Sequence, residues 1–449
     1  MEARGILLLI FLALPYLFAC FSFVFLSKQG NFRLVELGLG LARFICLLLL
    51  MNFLQNNGDL SLQIPFLRAF DIHFGFFISK NVLPALSVVE VVFLFIYMVF
   101  SSLPPLRSVR SALLMTIQGS MSVFLLSSSP IFLTVAQILM ALCLYFLIKF
   151  STNIEGKEWD AELIPGIAEK ILLMQITVAL LFLFWAVGSS IKKIPIDVLN
   201  ASGVKDIYIW LMGFFLVIPL APWHVWFDRA LLKLPESISA IIILLMSCVL
   251  YQYVAIASPM LFLIEKYKYF FIVLGFFSCF LSLYALFKRK SKKEIFACVL
   301  RFYFGLILIA LGLHSPAALQ GATFLCLLLP ISSCIMFYVS LTHVISIKHY
   351  ILIALFMAFL WAVPGTPLFK IFDIMISRSI ELGGAFAIAF GALWFLYFSA
   401  NVYVCRKIFL TEEITDFSDG KSVAPSIQSG LVFYAGFLLF FIGTLILML

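Results

Sequence analysis

Fourteen apolar runs succeed one another along the chain, each close to the ~20 residues a helix needs to cross the hydrocarbon core of a bilayer. Bounded by charge, proline or glycine, they cover roughly 5–27, 34–55, 81–101, 110–128, 130–150, 168–189, 207–225, 235–257, 268–287, 294–313, 317–340, 349–378, 382–404 and 430–449. Lipid offers no partner to a backbone N–H or C=O, so runs of this length can span only as helices. Composition agrees: 64% of the 449 residues are hydrophobic, 12% are charged, and mean hydropathy is +1.15. A soluble chain carries about 25% charged residues, which excludes a soluble enzyme, a disordered protein and a secreted disulfide scaffold. The nine cysteines include no CxxC pair, and Cys46, Cys143, Cys248, Cys279 and Cys326 lie inside apolar runs. Buried thiols are expected there, with no metal site. Before the first run stands a single arginine, Arg4, and that run is long enough to span and stay. No cleavable targeting peptide is expected.

The net charge of +8 sits in short loops, where it sets topology rather than binding nucleic acid. With their flanking residues, the loops after odd-numbered runs hold about twice as many Lys and Arg as those after even-numbered runs. The positive-inside bias puts the odd loops in the cytoplasm or matrix and both termini on the far side. Two polar stretches, Ser151 to Glu169 and Leu410 to Gln428, fall on the positive side and read as solvated loops, with surface helices or partner contacts as the alternative.

Two runs are interrupted by helix breakers, at Ile218-Pro219-Leu220-Ala221-Pro222 and at Val363-Pro364-Gly365-Thr366-Pro367. Proline at that depth needs neighbours or water to satisfy the freed carbonyl groups. Broken helices at matching places in two halves mark repeat-built transporters, and blocks of five spans force the second block to be inverted. The expected fold is therefore an all-α polytopic membrane protein of about fourteen helices, with two inverted five-helix repeats and two proline-broken helices. Residues 1–109 hold the first three helices, 110–267 the first repeat, 268–404 the second, and 405–449 a polar loop and final helix.

The stretch Pro219-Leu-Ala-Pro222-Trp-His224-Val-Trp226, followed by Pro235 and Ser239, resembles the PxxPxHxWLPxAHxxAPxxxS signature of chain 4 of NADH:ubiquinone oxidoreductase, respiratory complex I. Lys292-Lys293-Glu-Ile-Phe-Ala297 looks like DxKKxIAY. Gln320-Gly321-Ala322-Thr-Phe324 with Ser333 and Phe337 is similar to QGAIFxxxSHGxxSxxLF, and Val363-Pro364-Gly365-Thr366 with Phe369 to LPGTxxF. The resemblance implies a proton-pumping, antiporter-like subunit of the membrane arm, part of the H+-translocating NADH:ubiquinone reductase but without a redox site. It implies no cofactor in this chain, with FMN and iron–sulfur clusters carried by partner subunits. Implied partners are the other membrane-arm subunits, including homologous chains on either side, and lipids, in the mitochondrial inner membrane or, failing that, a bacterial plasma membrane. Rival expectations are a multi-subunit cation/proton antiporter and a degenerate module that only bridges its neighbours.

The departures bear on mechanism. The family's proton route uses a Glu on the fifth helix, Lys on the seventh and eighth, a His on the eleventh and a Glu on the twelfth. Those positions fall here on Gln137, Val217, Cys248, Leu329 and Phe372. Desolvation can tune a buried Lys or Glu toward neutrality, but not a Val, Leu or Phe. The remaining proton-path candidates are Glu90, His224, Lys370 and Asp373, with Glu90 alone in Val-Val-Glu-Val-Val at mid-span. The bland alternatives are a structural hydrogen bond for His224 and a Lys370–Asp373 salt bridge. Glu36 and Arg43, seven apart on one face, are expected to pair. Asp228, Arg229, Lys233 and Glu236 are expected in a solvated loop, and Arg301 to snorkel from a helix start with no role.

Overall fold

The computed structural model describes residues 3–25, 32–67, 72–99, 107–151, 163–191, 204–220, 224–257, 265–289, 291–341 and 367–410. Fourteen α-helices and one two-stranded hairpin occupy them. Nine of these helices are long and apolar enough to cross a membrane, and this is a multi-pass membrane protein. By packing, the chain divides into two units. One comprises Met1–Ile218 and Lys233–Tyr253, the other Pro219–Leu232 and Val254–Leu449.

The first unit holds α1 (Ala3–Phe25), α2 (Phe32–Asn57), α3 (Leu83–Val99), α4 (Arg107–Leu126), α5 (Pro130–Ser151), α6 (Leu163–Ile191), α7 (Val204–Val217) and most of α9 (Glu236–Ala257). α4 packs against α1, α3 and α5, α2 against α1 and α3, and α6 against α5 and α7. α3 is buried on every face from Ala85 to Tyr97, which leaves the polar Ser87 and Glu90 to find partners inside the protein. By contrast α1 and α2 keep large apolar side chains exposed, among them Leu17, Phe23, Leu41 and Ile45, as lipid-facing helices do.

One feature departs from an all-α chain. Between α2 and α3, β1 (Leu60–Leu67) and β2 (Ile72–Ile78) form an antiparallel hairpin, with Leu60 opposite Ile78 and a bulge between Pro65 and Leu67. It is anchored to the turn between α4 and α5, where the Ser128 N–H donates to the Gly75 carbonyl at 2.9 Å. A Cβ on Gly75 would meet the Ser128 hydroxyl, which would have to rotate away.

The second unit holds α8 (Val225–Lys233), α10 (Lys268–Lys288), α11 (Lys292–Gly312), α12 (Pro316–Leu341), α13 (Pro367–Leu382) and α14 (Gly384–Leu410). α11 is its centre: every residue from Ile295 to Gly312 is buried. α10 buries the stripe Phe271, Gly275, Cys279 and Ser282 against it, and exposes Phe270, Val273, Phe277 and Tyr284. A helix apolar on both faces fits burial on one side and lipid on the other. α11 opens on a capping box, in which Ser291 Oγ accepts from the Glu294 N–H at 3.2 Å and the Glu294 carboxylate accepts from the Ser291 N–H at 3.4 Å. Ser291→Ala is expected to destabilise this helix by about 1 kcal/mol, measurable as a lower urea midpoint of the detergent-solubilised protein.

The break expected near Pro219 is present. α7 stops at Val217, Pro219 and Leu220 are not helical, and helix resumes at Val225. The segment beyond the break is not the expected loop: Asp228, Arg229 and Lys233 lie on α8. The reason is local, since Val225 to Lys233 contains no breaker and buries Phe227, Ala230 and Leu231 on one face. The second expected break at Pro364-Gly365-Thr366, the final run 430–449, the polar stretch after Leu410 and Pro222 all lie outside the described residues.

Candidate functional site

Two buried ion pairs stand out, one in each unit. In the first, Arg43 of α2 faces Glu90 of α3. Arg43 Nε donates to both carboxylate oxygens at 3.1 and 3.0 Å, and Nη2 reaches Oε1 at 2.5 Å. Gln118 of α4 donates to Oε2 at 2.7 Å and accepts from the Tyr97 hydroxyl at 2.7 Å. Arg43 also donates to Ser122 Oγ at 2.6 Å and to the Phe11 carbonyl at 3.2 Å, while its guanidinium lies 4.3 Å over the Phe11 ring. The single Nε–H is shared between the two oxygens, so three N–H groups hold the carboxylate and both of its oxygens are hydrogen-bonded. Glu90 is thus not alone, as its sequence setting implied, and Arg43 takes it as partner in place of Glu36. Residues seven apart stand two turns, about 10.5 Å, apart along the axis, whereas Glu90 comes from a helix packed alongside.

The second pair lies in the second unit. Arg301 Nη1 is 3.3 Å from Asp228 Oδ2, and Arg301 Nη2 donates to Cys298 Sγ at 3.1 Å. Arg301 sits midway along α11 and is 5% exposed, its guanidinium turned inward onto Asp228 and Cys298. The expectation that it snorkels from a helix start is therefore corrected, as is that of a solvated Asp228. Arg229 and Lys233 are exposed, as expected for a solvated face. His224 is the turn residue before α8, and its carbonyl accepts the N–H groups of Phe227 and Asp228 at 3.0 and 3.1 Å. Its ring is half-buried and lies within electrostatic reach of both Asp228 and Arg301. Three buried polar atoms here have no hydrogen-bond partner among the described residues: His224 Nδ1, Asp228 Oδ1 and Arg301 Nε.

The other candidates separate from these clusters. Lys370 and Asp373 are exposed on α13, whose buried face is Leu368, Ile371, Phe372 and Met375. Among the described residues they form no ion pair with each other, so neither the salt bridge nor a shared interior site is present. Pro219 is buried at the break, and Trp226 sits edge-on to Phe227, which sits edge-on to Phe304. The Pro235 carbonyl accepts from the Ser239 N–H at 2.9 Å as α9 starts, and Ser239 is fully buried.

All five positions that the resemblance assigns to a proton route are buried. Gln137 donates to Gln175 of α6 at 3.3 Å, a neutral pair. Phe372 stacks on Tyr397 with centroids 6.0 Å apart, and Tyr397 stacks on Phe302 at 4.2 Å. The Tyr397 and Tyr303 hydroxyls meet at 3.0 Å. Aromatic packing therefore fills the place of the family's second glutamate. Among the described residues no group of His, Cys, Asp and Glu is arranged to hold a metal ion.

No protein-family profile and no curated protein matches the sequence. Solved structures do match in fold. A chain of the Mrp complex from Dietzia sp. DQ12-45-1b superposes with a TM-score of 0.76 at 15% identity, covering 91% of this chain and 80% of that one. A chain of respiratory complex I from Thermus thermophilus with bound NADH gives 0.75 at 13% identity, covering 96% of this chain and 93% of that one. The membrane-bound sulfane sulfur reductase, an archaeal respiratory membrane complex, gives 0.74 at 13% identity, covering 96% and 75%. The fold is one these chains share. The likeness is one of fold, and it is reached here without the Glu, Lys and His residues that the resemblance places on a proton route.

Proposed function

We propose that the chain is a core membrane-arm subunit of a complex I-type respiratory assembly, subunit 4-like. It would serve the proton-translocating half of NADH:ubiquinone oxidoreduction in the mitochondrial inner membrane. The observation that carries this is length as well as shape: the chain matches nearly all of the complex I chain, 93%, but 80% and 75% of the other two. In this reading, residues 110–267 and 268–404 are the two inverted repeats. Redox chemistry, with its FMN and iron–sulfur clusters, belongs to other subunits, and homologous chains flank this one. Glu90, with both carboxylate oxygens hydrogen-bonded, acts as a structural anchor, and any proton path through the chain runs by His224.

A second reading, a module that bridges its neighbours without moving protons, is favoured by the burial of Val217, Leu329 and Phe372 where titratable groups would stand. Both readings place the chain in the same assembly, and one experiment tests that placement. Membranes solubilised in mild detergent are run on a native gel, stained for NADH dehydrogenase activity and probed for this chain. The chain is expected in the active band. Migration in a smaller assembly that lacks the activity and exchanges sodium for protons in vesicles would instead establish the antiporter alternative.

A further inference from the structure

We infer that Asp228, Arg301 and His224 form a proton-exchange centre in this subunit, with His224 as the group that carries the proton. The inference rests on the reading of the chain as an ion-translocating module. It names residues that this reading leaves unused, since Asp228 and Arg301 occupy none of the positions the resemblance assigns to a proton route.

The contrast between the two buried ion pairs carries it. Around Arg43 and Glu90, both carboxylate oxygens are hydrogen-bonded by three N–H groups, so a change of charge there breaks several short hydrogen bonds at once. Between Arg301 and Asp228 there is a single contact, at 3.3 Å, while Arg301 Nη2 goes to Cys298 Sγ, and among the described residues the second carboxylate oxygen is buried without a hydrogen-bond partner. Arg301 has five N–H donors, and its Nε–H is buried without an acceptor among the described residues. A purely structural buried pair is expected to satisfy its members, because each unfilled polar atom costs about 1–3 kcal/mol. Among the described residues this pair leaves an acceptor and a donor without partners, within electrostatic reach of a histidine whose Nδ1 also has none.

Geometry brings His224 to Asp228. The Asp228 N–H donates to the His224 carbonyl at 3.1 Å, so the two stand one helical turn apart on the same face. Neutral His224 takes up a proton at a ring nitrogen, and the imidazolium can then donate to the open Oδ1 of Asp228. Releasing that proton restores the neutral ring and leaves Asp228 to Arg301. Arg301 keeps its charge throughout, since a guanidinium does not deprotonate in proteins. It holds the carboxylate ionised while the histidine cycles, and the net charge of the three groups alternates between zero and plus one.

The test uses the assembled complex in inverted membrane vesicles carrying His224→Gln, Asp228→Asn or both. Protons moved per NADH oxidised are compared with the amount of chain in the complex band. The expected result is a lower proton-to-electron ratio in both single variants. The double variant should fall no further, because residues acting as one unit are not additive. A full ratio in His224→Gln, with the chain present in normal amount, overturns the proposal and leaves the Asp228–Arg301 pair as a brace between α8 and α11. If Asp228→Asn fails to assemble, His224→Gln decides alone. If the chain does not migrate with NADH dehydrogenase, the same variants are read by sodium-driven pH gradients in vesicles. Loss of that gradient in His224→Gln then upholds the centre while the complex I reading falls, and an intact gradient overturns both.

Discussion

Arg43→Met destabilises the first unit by about 3–5 kcal/mol, because it leaves a buried carboxylate without its counter-ion. Glu90 is 1% exposed and takes three of its four close contacts from Arg43, so no solvent or neighbouring cation can replace the guanidinium. The same substitution frees Ser122 and the Phe11 carbonyl, and so loosens α1 and α4 along with α2 and α3. Replacing both partners, Arg43→Met with Glu90→Met, is expected to recover most of the loss, since two apolar groups of similar volume need no desolvated partner. Urea unfolding of the purified protein in detergent, followed by tryptophan fluorescence, measures both variants. A single variant with an unshifted midpoint would mean that the pair is solvated in the membrane and not a clamp.

A second large effect is expected where α10 meets α11. A Cβ on Gly275 would lie 2.8 Å from the Gly305 carbonyl and 3.0 Å from the Ile309 nitrogen, and one on Gly312 would lie 2.8 Å from the Lys268 carbonyl. These neighbours are backbone, so no rotamer change makes room and the helices must part. Close approach through small residues is how helices associate where lipid supplies no hydrophobic drive. Gly275→Ala is expected to destabilise by about 1–3 kcal/mol, with Gly275→Val at the upper end or beyond. Gly384→Ala, where a Cβ meets nothing, is the control expected to leave the midpoint unchanged. Equal midpoints for Gly275→Ala and Gly384→Ala would rule out the backbone contact.

Much of the helix count was legible because each run is punctuated: Pro130, Pro316 and Pro367 open helices, and Pro219 ends one. The face that each helix buries was harder to read. In α13 the sign was present, since Lys370, Asp373, Ser377 and Glu381 recur at helical spacing opposite Leu368, Ile371, Phe372 and Met375, but nearness in sequence to the family's glutamate position outweighed it. Partner choice was hidden for a related reason. Arg43 had two buried carboxylates to choose from, Glu36 on its own helix and Glu90 across the interface, and sequence spacing favoured the wrong one. Gln118 was overlooked although it heads the polar series Gln118, Ser120, Ser122 within an apolar span, a signal that could have found it. Arg301 was discounted because a lone arginine in a span usually reaches the interface. Its partner comes from a helix too short and too charged to be counted as spanning. The hairpin was missed because its residues lie between two runs and alternate only loosely.

The pairing of α8 with α11 also fixes an order of events during synthesis. Asp228 is made seventy-three residues before Arg301, so its counter-ion does not yet exist when α8 leaves the ribosome. α11 then has to enter the bilayer with an arginine at its middle, a placement disfavoured by about 2.5–3.5 kcal/mol for a helix inserting alone. An α8 already waiting at the insertion site offers the incoming arginine a carboxylate and lowers that barrier, while the arrival of α11 removes the same carboxylate from contact with lipid. The buried contact between the early segment and the late one therefore cannot form until the nascent chain has passed Arg301.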